Sequence, residues 1–273
     1  MEARGAKIAA VRIEIHPVFD LSDPHQDNWI GHLANAVHIN THESVIRHEL
    51  TIHAGDAVDA RRVHEAERDL RTFRFVKDAE ITPEVGPDGV LTAVVSVRDA
   101  WTLKLSAGYS QVGGRHSWSF GLQDQNLLGS GKALAFRREV DPDRTSNALV
   151  YNDRQVFGSR WVLSGIYQSL SDGYTRGFGF GRPFFALDTP WSFEASASTT
   201  QSRVLVFDRN TQVFEAPSKL DGGKLGFAWR VAGGGKDAWR LGLQGDVDDA
   251  RYGPLTVDGD PGLLPPPVLA PRR

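Results

Sequence analysis

With 273 residues and a formal net charge of −3, the chain can hold two ordinary domains or one large β structure, each burying a core of its own. That near-neutral balance supplies no continuous basic stripe, which excludes a nucleic-acid footprint. Cysteine is absent, as suits a protein that crosses an oxidising compartment, and no run approaches the roughly 18 apolar residues of a spanning helix. A mean hydropathy of −0.32 is that of a soluble protein, but membrane barrels give the same value because their strands alternate.

The opening residues 1–10 carry basic side chains without an apolar signal region. The expectation is a start that lies further upstream or has been processed, or else a cytosolic chain. Residue usage then divides near residue 100: eight of the nine His lie before residue 65, and six of the seven Trp lie after residue 100. The predicted organisation is an extension over 1–10, an α+β module over 11–99, a strand-rich region over 100–252, and a Pro-rich irregular tail over 253–273.

From Val11 to Phe19 apolar and polar residues alternate, which predicts a half-buried strand ending near Pro17. The irregular stretch from Asp20 to Asn40 predicts a long loop with at most a helical turn. Thr41 is placed to cap a short helix carrying Val45, Ile46 and Leu50, closed by the Ala54-Gly55-Asp56 turn. Asp59 caps a second helix, with Val63, Ala66, Leu70 and Phe73 on one face and the pairs Arg61 with Glu65 and Glu67 with Arg71 outside. Two strands follow, Val76 to Thr82 and Val90 to Arg98, joined by a turn at Pro87 to Gly89. The order β-α-α-β-β makes a three-stranded sheet covered on one face by helices, with an edge strand open to an extended client.

After residue 100 the alternation returns repeatedly. Trp101, Leu103, Leu105, Ala107 and Tyr109 interleave with small polar residues; Trp118, Phe120 and Leu122, then Trp161 and Leu163, Trp191 and Phe193, Leu225 to Trp229, and Trp239 to Leu243 repeat the pattern. About ten such strands are predicted, each near the roughly 9–11 residues that cross a bilayer at a tilt. Ser, Gly, Thr, Gln, Arg and Glu fill the opposite face, as a wet lumen requires, and Trp begins several strands where an interfacial girdle belongs.

Signals for catalysis are missing from the sequence. His38 with His42 and His48 with His53 lack a third ligand at helical spacing, and Asp246, Asp248 and Asp249 with Asp258 and Asp260 lack the Gly and Glu of a calcium loop. No nucleophile elbow, zinc-protease, P-loop or dinucleotide motif occurs. The expectation is a non-enzymatic protein without cofactor, metal or catalytic residues.

Val45 to Ile81 together with Asp88 to Leu103 resembles the last POTRA repeat of the BamA and TamA superfamily of outer-membrane proteins, and GLQDQNLLGSGK, Gly121 to Lys132, resembles a turn between early strands of its barrel. The resemblance implies a POTRA module in the periplasm, followed by an antiparallel transmembrane β-barrel of sixteen strands in the bacterial outer membrane. About ten of those strands would be present, so a C-terminally truncated barrel is expected. The family's late Val-Arg-Gly-aromatic loop is not identified; Thr175 to Phe178 reads TRGF but lies within an alternating strand. The implied activity is assembly and insertion of outer-membrane proteins, with lipid, unfolded β-barrel clients and periplasmic accessory proteins as partners. Three sets of residues carry that expectation: a client-binding edge at Val76, Lys77, Asp78, Ala79, Glu80 and Ile81; a barrel seam at Leu103, Leu105, Ala107 and Tyr109; and the family-like turn at Asn126, Leu127, Leu128, Gly129 and Gly131. The alternatives are a two-partner secretion pore and a soluble β-rich binding protein.

Overall fold

A computed structural model describes residues 7–87, 89–208, 211–233 and 237–257. It divides into two compact units. The first takes in the chain up to Leu105 together with Leu122–Ala135 and Tyr151–Val162; the second takes in Ser106–Gly121, Phe136–Val150 and the chain from Leu163 onward.

In the first unit, β1 (Ala10–His16), α1 (Trp29–Val37), α2 (Glu43–Glu49), α3 (Ala60–Leu70), β2 (Val76–Val85) and β3 (Leu91–Asp99) follow in chain order. The sheet order is β1-β3-β2, with β1 parallel and β2 antiparallel to the central strand. Its core gathers Ile46, Leu70, Phe73, Ala79, Val95 and Val97, all buried. Asp59 caps α3 as expected, accepting from the Arg61 amide at 2.9 Å, and Ala66, Leu70 and Phe73 face the core. The Gly86 amide donates to the Val90 carbonyl and closes the hairpin; Asp88, at the centre of the expected Pro-Asp-Gly turn, lies outside the described residues.

Three expectations for this unit are corrected. The stretch read as a loop contains a nine-residue helix, α1, giving the order β-α-α-α-β-β. Asn28 caps it by accepting from the Gly31 amide, and Gly31 is required because a Cβ there would lie 2.4 Å from the Gln26 carbonyl oxygen. Its large apolar residues Trp29, Ile30, Leu33 and Val37 are exposed, so no inward stripe marks it in the sequence. Thr41 does not cap α2, whose N-cap is His42 without a side-chain bond. Arg61 lies beside Asp59, not Glu65, at 3.9 Å.

The strand region is one antiparallel meander of nine long strands: β4 (Leu103–Val112), β5 (Arg115–Asp124), β6 (Ala133–Val140), β7 (Thr145–Asp153), β8 (Val162–Leu170), β9 (Gly173–Arg182), β10 (Trp191–Asp208), β11 (Thr211–Gly233) and β12 (Ala238–Tyr252). Each pairs with its neighbours in the chain, and a two-residue β13 (Thr256–Val257) adds to β11. β4 and β12 end the order without pairing each other, so the expected barrel is an open sheet among the described residues. The last three strands run to 18, 23 and 15 residues, longer than the alternation predicts. Thr175 to Phe178 lies within β9, as a strand sequence should. Of the tail, residues 258–273 lie outside the described residues.

The two faces of this sheet separate sharply. In the second unit Trp191, Phe227 and Trp229 share one face, with ring centroids 5.8 Å and 4.2 Å apart, while Glu194 pairs with Lys224 at 2.8 Å on the other. A cavity in the second unit is lined by the small residues Ser164, Gly179, Ser196 and Ser198 together with Lys224 and Asp246.

Candidate functional site

The predicted client edge lies on β2, which is an edge strand of the module sheet. Pairing of Gly86 with Val90 sets the ladder parity, so Ala79, Ile81, Pro83 and Val85 direct their main-chain groups away from β3. The groups nearest α3 are engaged. The Ile81 amide donates to Glu67 Oε1 at 2.9 Å, the Arg71 guanidinium donates to the Ala79 carbonyl, the Ala79 amide donates to Asp78 Oδ1 at 2.9 Å, and Pro83 has no N–H. Arg71 also reaches Asp78 Oδ1 at 3.0 Å, and this hydrogen bond holds the Asp78 carboxyl below the ordinary carboxylate value. α3 thus acts as a side-chain cap on the edge, because Glu67 and Arg71 project from its last turns onto β2. Lys77 and Glu80 are exposed beside that capped edge.

The family-like turn is better defined than its sequence suggests, because it occurs twice. Asp124-Gln-Asn-Leu-Leu-Gly-Ser joins β5 to β6, and Asp153-Arg-Gln-Val-Phe-Gly-Ser joins β7 to β8, each around a single 3-10 turn, Leu127–Gly129 and Val156–Gly158. In both, the Asp Oδ1 accepts from the amide two residues on at 2.9 Å and the Ser hydroxyl donates to the carbonyl three residues back. Both also place a large apolar residue in the left-handed region, Leu128 at φ 51° and Phe157 at φ 54°, a strained conformation that persists only where the surroundings fix it. The second copy was not singled out in the sequence; the shared Asp-x-amide-apolar-apolar-Gly-Ser spacing is the signal that finds it.

What fixes the turns is the module. Asn126 Nδ2 donates to Thr41 Oγ1 at 2.7 Å, and the His42 amide donates to the Gly129 carbonyl at 2.8 Å. Gly129 approaches so closely that a Cβ would stand 2.2 Å from the Asn40 carbonyl oxygen. At the equivalent position of the second turn, Gln155 Nε2 donates to the Val45 carbonyl at 2.9 Å and to Glu49 Oε1 at 2.8 Å, and Arg160 pairs with the same buried Glu49. Arg154 lies over the Phe73 ring at 4.6 Å. Lys132 joins the two turns through Asp153 at 3.4 Å. Behind Thr41 the fully buried Asp99 accepts from the Thr41 amide and hydroxyl, both at 2.7 Å, and meets His38 Nε2 at 2.9 Å. α2 is therefore gripped at both ends by two amide side chains, Asn126 and Gln155, from two hairpins.

The seam residues Leu103, Leu105, Ala107 and Tyr109 lie on β4, a terminal strand of the meander, with their side chains exposed. The structure does not bring the His pairs of the sequence into a metal centre: His38 serves Asp99, and among the described residues no group of three His, Cys, Asp or Glu side chains could hold a metal ion. Asp246, Asp248 and Asp249 lie along β12, while Asp258 and Asp260 lie outside the described residues. No described helix is long and apolar enough to cross a membrane.

No family model matches the chain. No curated protein matches it either. Among solved structures it is similar to BamA from Haemophilus ducreyi lacking POTRA domains 1–3, at 13% identity and a TM-score of 0.47 over 90% of this chain and 56% of that one. It is also similar to CdiB from Acinetobacter baumannii, at 10% identity and a TM-score of 0.43 over 90% of this chain and 48% of that one. The chain thus spans about half the length of the solved structures it matches.

Proposed function

We propose that this chain works in the bacterial outer membrane as a non-enzymatic assembly factor for β-barrel proteins, with its α/β module on the periplasmic side. One observation carries the reading. Among the described residues every buried hydrophobic side chain except Ala216 lies between Ile8 and Val97, while the strands display Leu105, Tyr109, Leu225, Trp229, Leu243 and Val247 outward. A soluble sheet of this size would bury such a row against a second layer; hydrocarbon accepts it as it stands.

Among the described residues the sheet order ends at β4 and β12, and the strands of an unfolded barrel client fit beside such a strand by main-chain pairing, the form an assembly factor handles. The turn clamp serves the same end by tying the module, which meets clients before insertion, to the hairpins β5–β6 and β7–β8. Lipid, unfolded barrel clients and periplasmic accessory proteins are the partners this activity calls for.

The test is reconstitution of the full chain into vesicles of outer-membrane-type lipid, followed by an unfolded barrel client whose folding is read by heat-modifiable gel mobility. Faster client insertion than into empty vesicles supports the proposal. A chain that stays monomeric and folded in buffer without detergent, and partitions away from vesicles, overturns it.

A further inference from the structure

The nine residues of α1 divide by side. At about 100° of rotation per residue, Trp29, Ile30, Leu33 and Val37 fall in one stripe, and all four are exposed, Trp29 to 74%. The opposite side is fixed to the module: Gly31 and Ala34 are buried, and Asn35 accepts from the Phe19 amide at 3.1 Å and donates to the Phe19 carbonyl at 2.9 Å. The stripe cannot turn inward without breaking those bonds.

Two ties hold this helix at the rim where the long strands begin. His38, its C-cap, meets the buried Asp99 at 2.9 Å, and Asp99 lies four residues before Leu103, the start of β4. Asn40 lies against Gly129 in the turn between β5 and β6, and from Val37 to Asn40 the chain reaches no more than about 11 Å. At that rim Trp101, Leu103, Leu122 and Leu128 are exposed, as is Ile39 between the helix and the turn. The apolar residues of α1 thus continue along the chain to the ends of strands that carry outward apolar rows themselves.

The chemistry around the stripe selects its occupant. α1 contains no Asp, Glu, Lys or Arg, so it offers no charge to set a register against a protein surface. The acids that precede it are used within the module: Asp20 accepts from Ser22 and Arg98, Asp23 accepts from the His25 amide and Gln26, and Asp27 meets His32 at 2.8 Å. An apolar stripe headed by Trp, beside carboxylates already satisfied, fits a partner that demands neither direction nor charge.

We propose that α1 is an interfacial helix that lays Trp29, Ile30, Leu33 and Val37 into the periplasmic leaflet, its occupant being the headgroup and acyl boundary of zwitterionic phospholipid. The proposal rests on the membrane reading above for the placement of the strands, and adds to it a lipid contact made by the module itself.

The chain contains no cysteine, so single cysteines report position cleanly. Leu33→Cys marks the stripe, Lys77→Cys an exposed position elsewhere in the module, and Leu243→Cys the outward row of β12. Each full-length variant carries a fluorophore and is reconstituted into vesicles of phosphatidylcholine and phosphatidylethanolamine containing brominated lipid as quencher. Quenching at Leu33 is expected to exceed that at Lys77 at least about fivefold, to be stronger with bromine near the headgroup than at the chain end, and to change less than about twofold up to about 1 M salt. Replacing Trp29 and Ile30 by Ser should lower the Leu33 signal severalfold and leave the urea midpoint of the module unchanged, since both side chains are exposed. Equal quenching at Leu33 and Lys77, or quenching abolished by salt, overturns the proposal. So does a Leu33 label insensitive to bromine but shielded in proportion to protein concentration, which makes a second copy the occupant. The Leu243 label keeps the two readings apart: quenching there without quenching at Leu33 fails the helix alone, whereas quenching at Leu33 without quenching at Leu243 keeps the helix and fails the membrane reading of the strands.

Discussion

Leu70 in the module and Leu243 in the strand region sit on regular elements of well-formed structure, yet the first is fully buried and the second is 75% exposed. The module turns its apolar side chains into a core in the manner of any small α+β domain in water. The meander leaves large side chains such as Leu105, Leu243 and Val247 exposed. Side-chain chemistry is shared between the two regions, and under the proposed function the difference is one of solvent, with burial in water stabilising only the first.

The sharpest way to break this comparison is to substitute one leucine in each region. Leu70→Ala removes a packed side chain and leaves a cavity, with an expected loss of about 2–5 kcal/mol in module stability, read by urea-dependent hydrogen exchange of the β3 amides. Leu243→Arg inverts the test. In vesicles a charge on the lipid-facing surface costs about 2–4 kcal/mol near the bilayer midplane, whereas the same change on a water-facing strand stays within roughly 0.5 kcal/mol. Urea titration of the vesicle-inserted chain decides between them, and a neutral result would place β12 in water.

Next in size is the clamp that joins the module to the hairpin turns. Asn126→Ala removes the donor to the Thr41 hydroxyl, which keeps Asp99 as its acceptor, and leaves the part-buried Gly131 amide without its acceptor, an expected cost of about 1–3 kcal/mol. Gln155→Ala should act alike at the other end of α2, through the Val45 carbonyl and Glu49. Limited proteolysis of the turns in detergent reads the loss directly. Substituting Phe157→Gly works in the other direction: it relieves a left-handed conformation costing about 1–2 kcal/mol and loses part of that gain to added unfolded-state entropy. A small rise in melting temperature is expected, and a fall would show that the exposed ring makes contacts the strain serves.

Legibility in the sequence followed the same divide. The strands were readable because Leu103, Leu105, Ala107 and Tyr109 repeat with period two whatever solvent they face. α3 was readable because Ala66, Leu70 and Phe73 point inward at helical spacing. α1 was not, since Trp29, Ile30, Leu33 and Val37 are exposed and an outward apolar face beside Gly31 looks like an irregular loop. Edge accessibility was hidden for another reason. Glu67 and Arg71 have the i,i+4 spacing of a surface pair, and only the tertiary arrangement shows them turned onto the main chain of β2. The clamp was half visible: Asn126 to Gly131 carried a resemblance, whereas Gln155 to Ser159 performs the same role with different residues.

The smallest expected effect is a pH dependence confined to the module. Asp78 is held below the ordinary carboxylate value of 3.8, first by its hydrogen bond from Arg71 and then by the Ala79 amide. A lowered value in the folded state means the folded chain binds fewer protons than the unfolded chain. The stabilisation is thus complete above the ordinary carboxylate value and is lost as pH falls through the lowered one. Asp69 has the opposite sign, since partial burial and the nearby Glu65 raise its value and acidification favours the folded form there. Asp78 is well exposed, so salt screens most of its contribution. The measurement is the urea midpoint of β2 and β3 amides across the acid limb, for the natural chain and for Asp78→Asn. A flatter limb in the variant is expected at low salt, and convergence of the two at high salt. Because the same Arg71 guanidinium caps the Ala79 carbonyl, any acid-dependent loosening should register at β2 before β1 at the other edge of the sheet, and equal loosening of both edges would show that the cap contributes nothing to the difference between them.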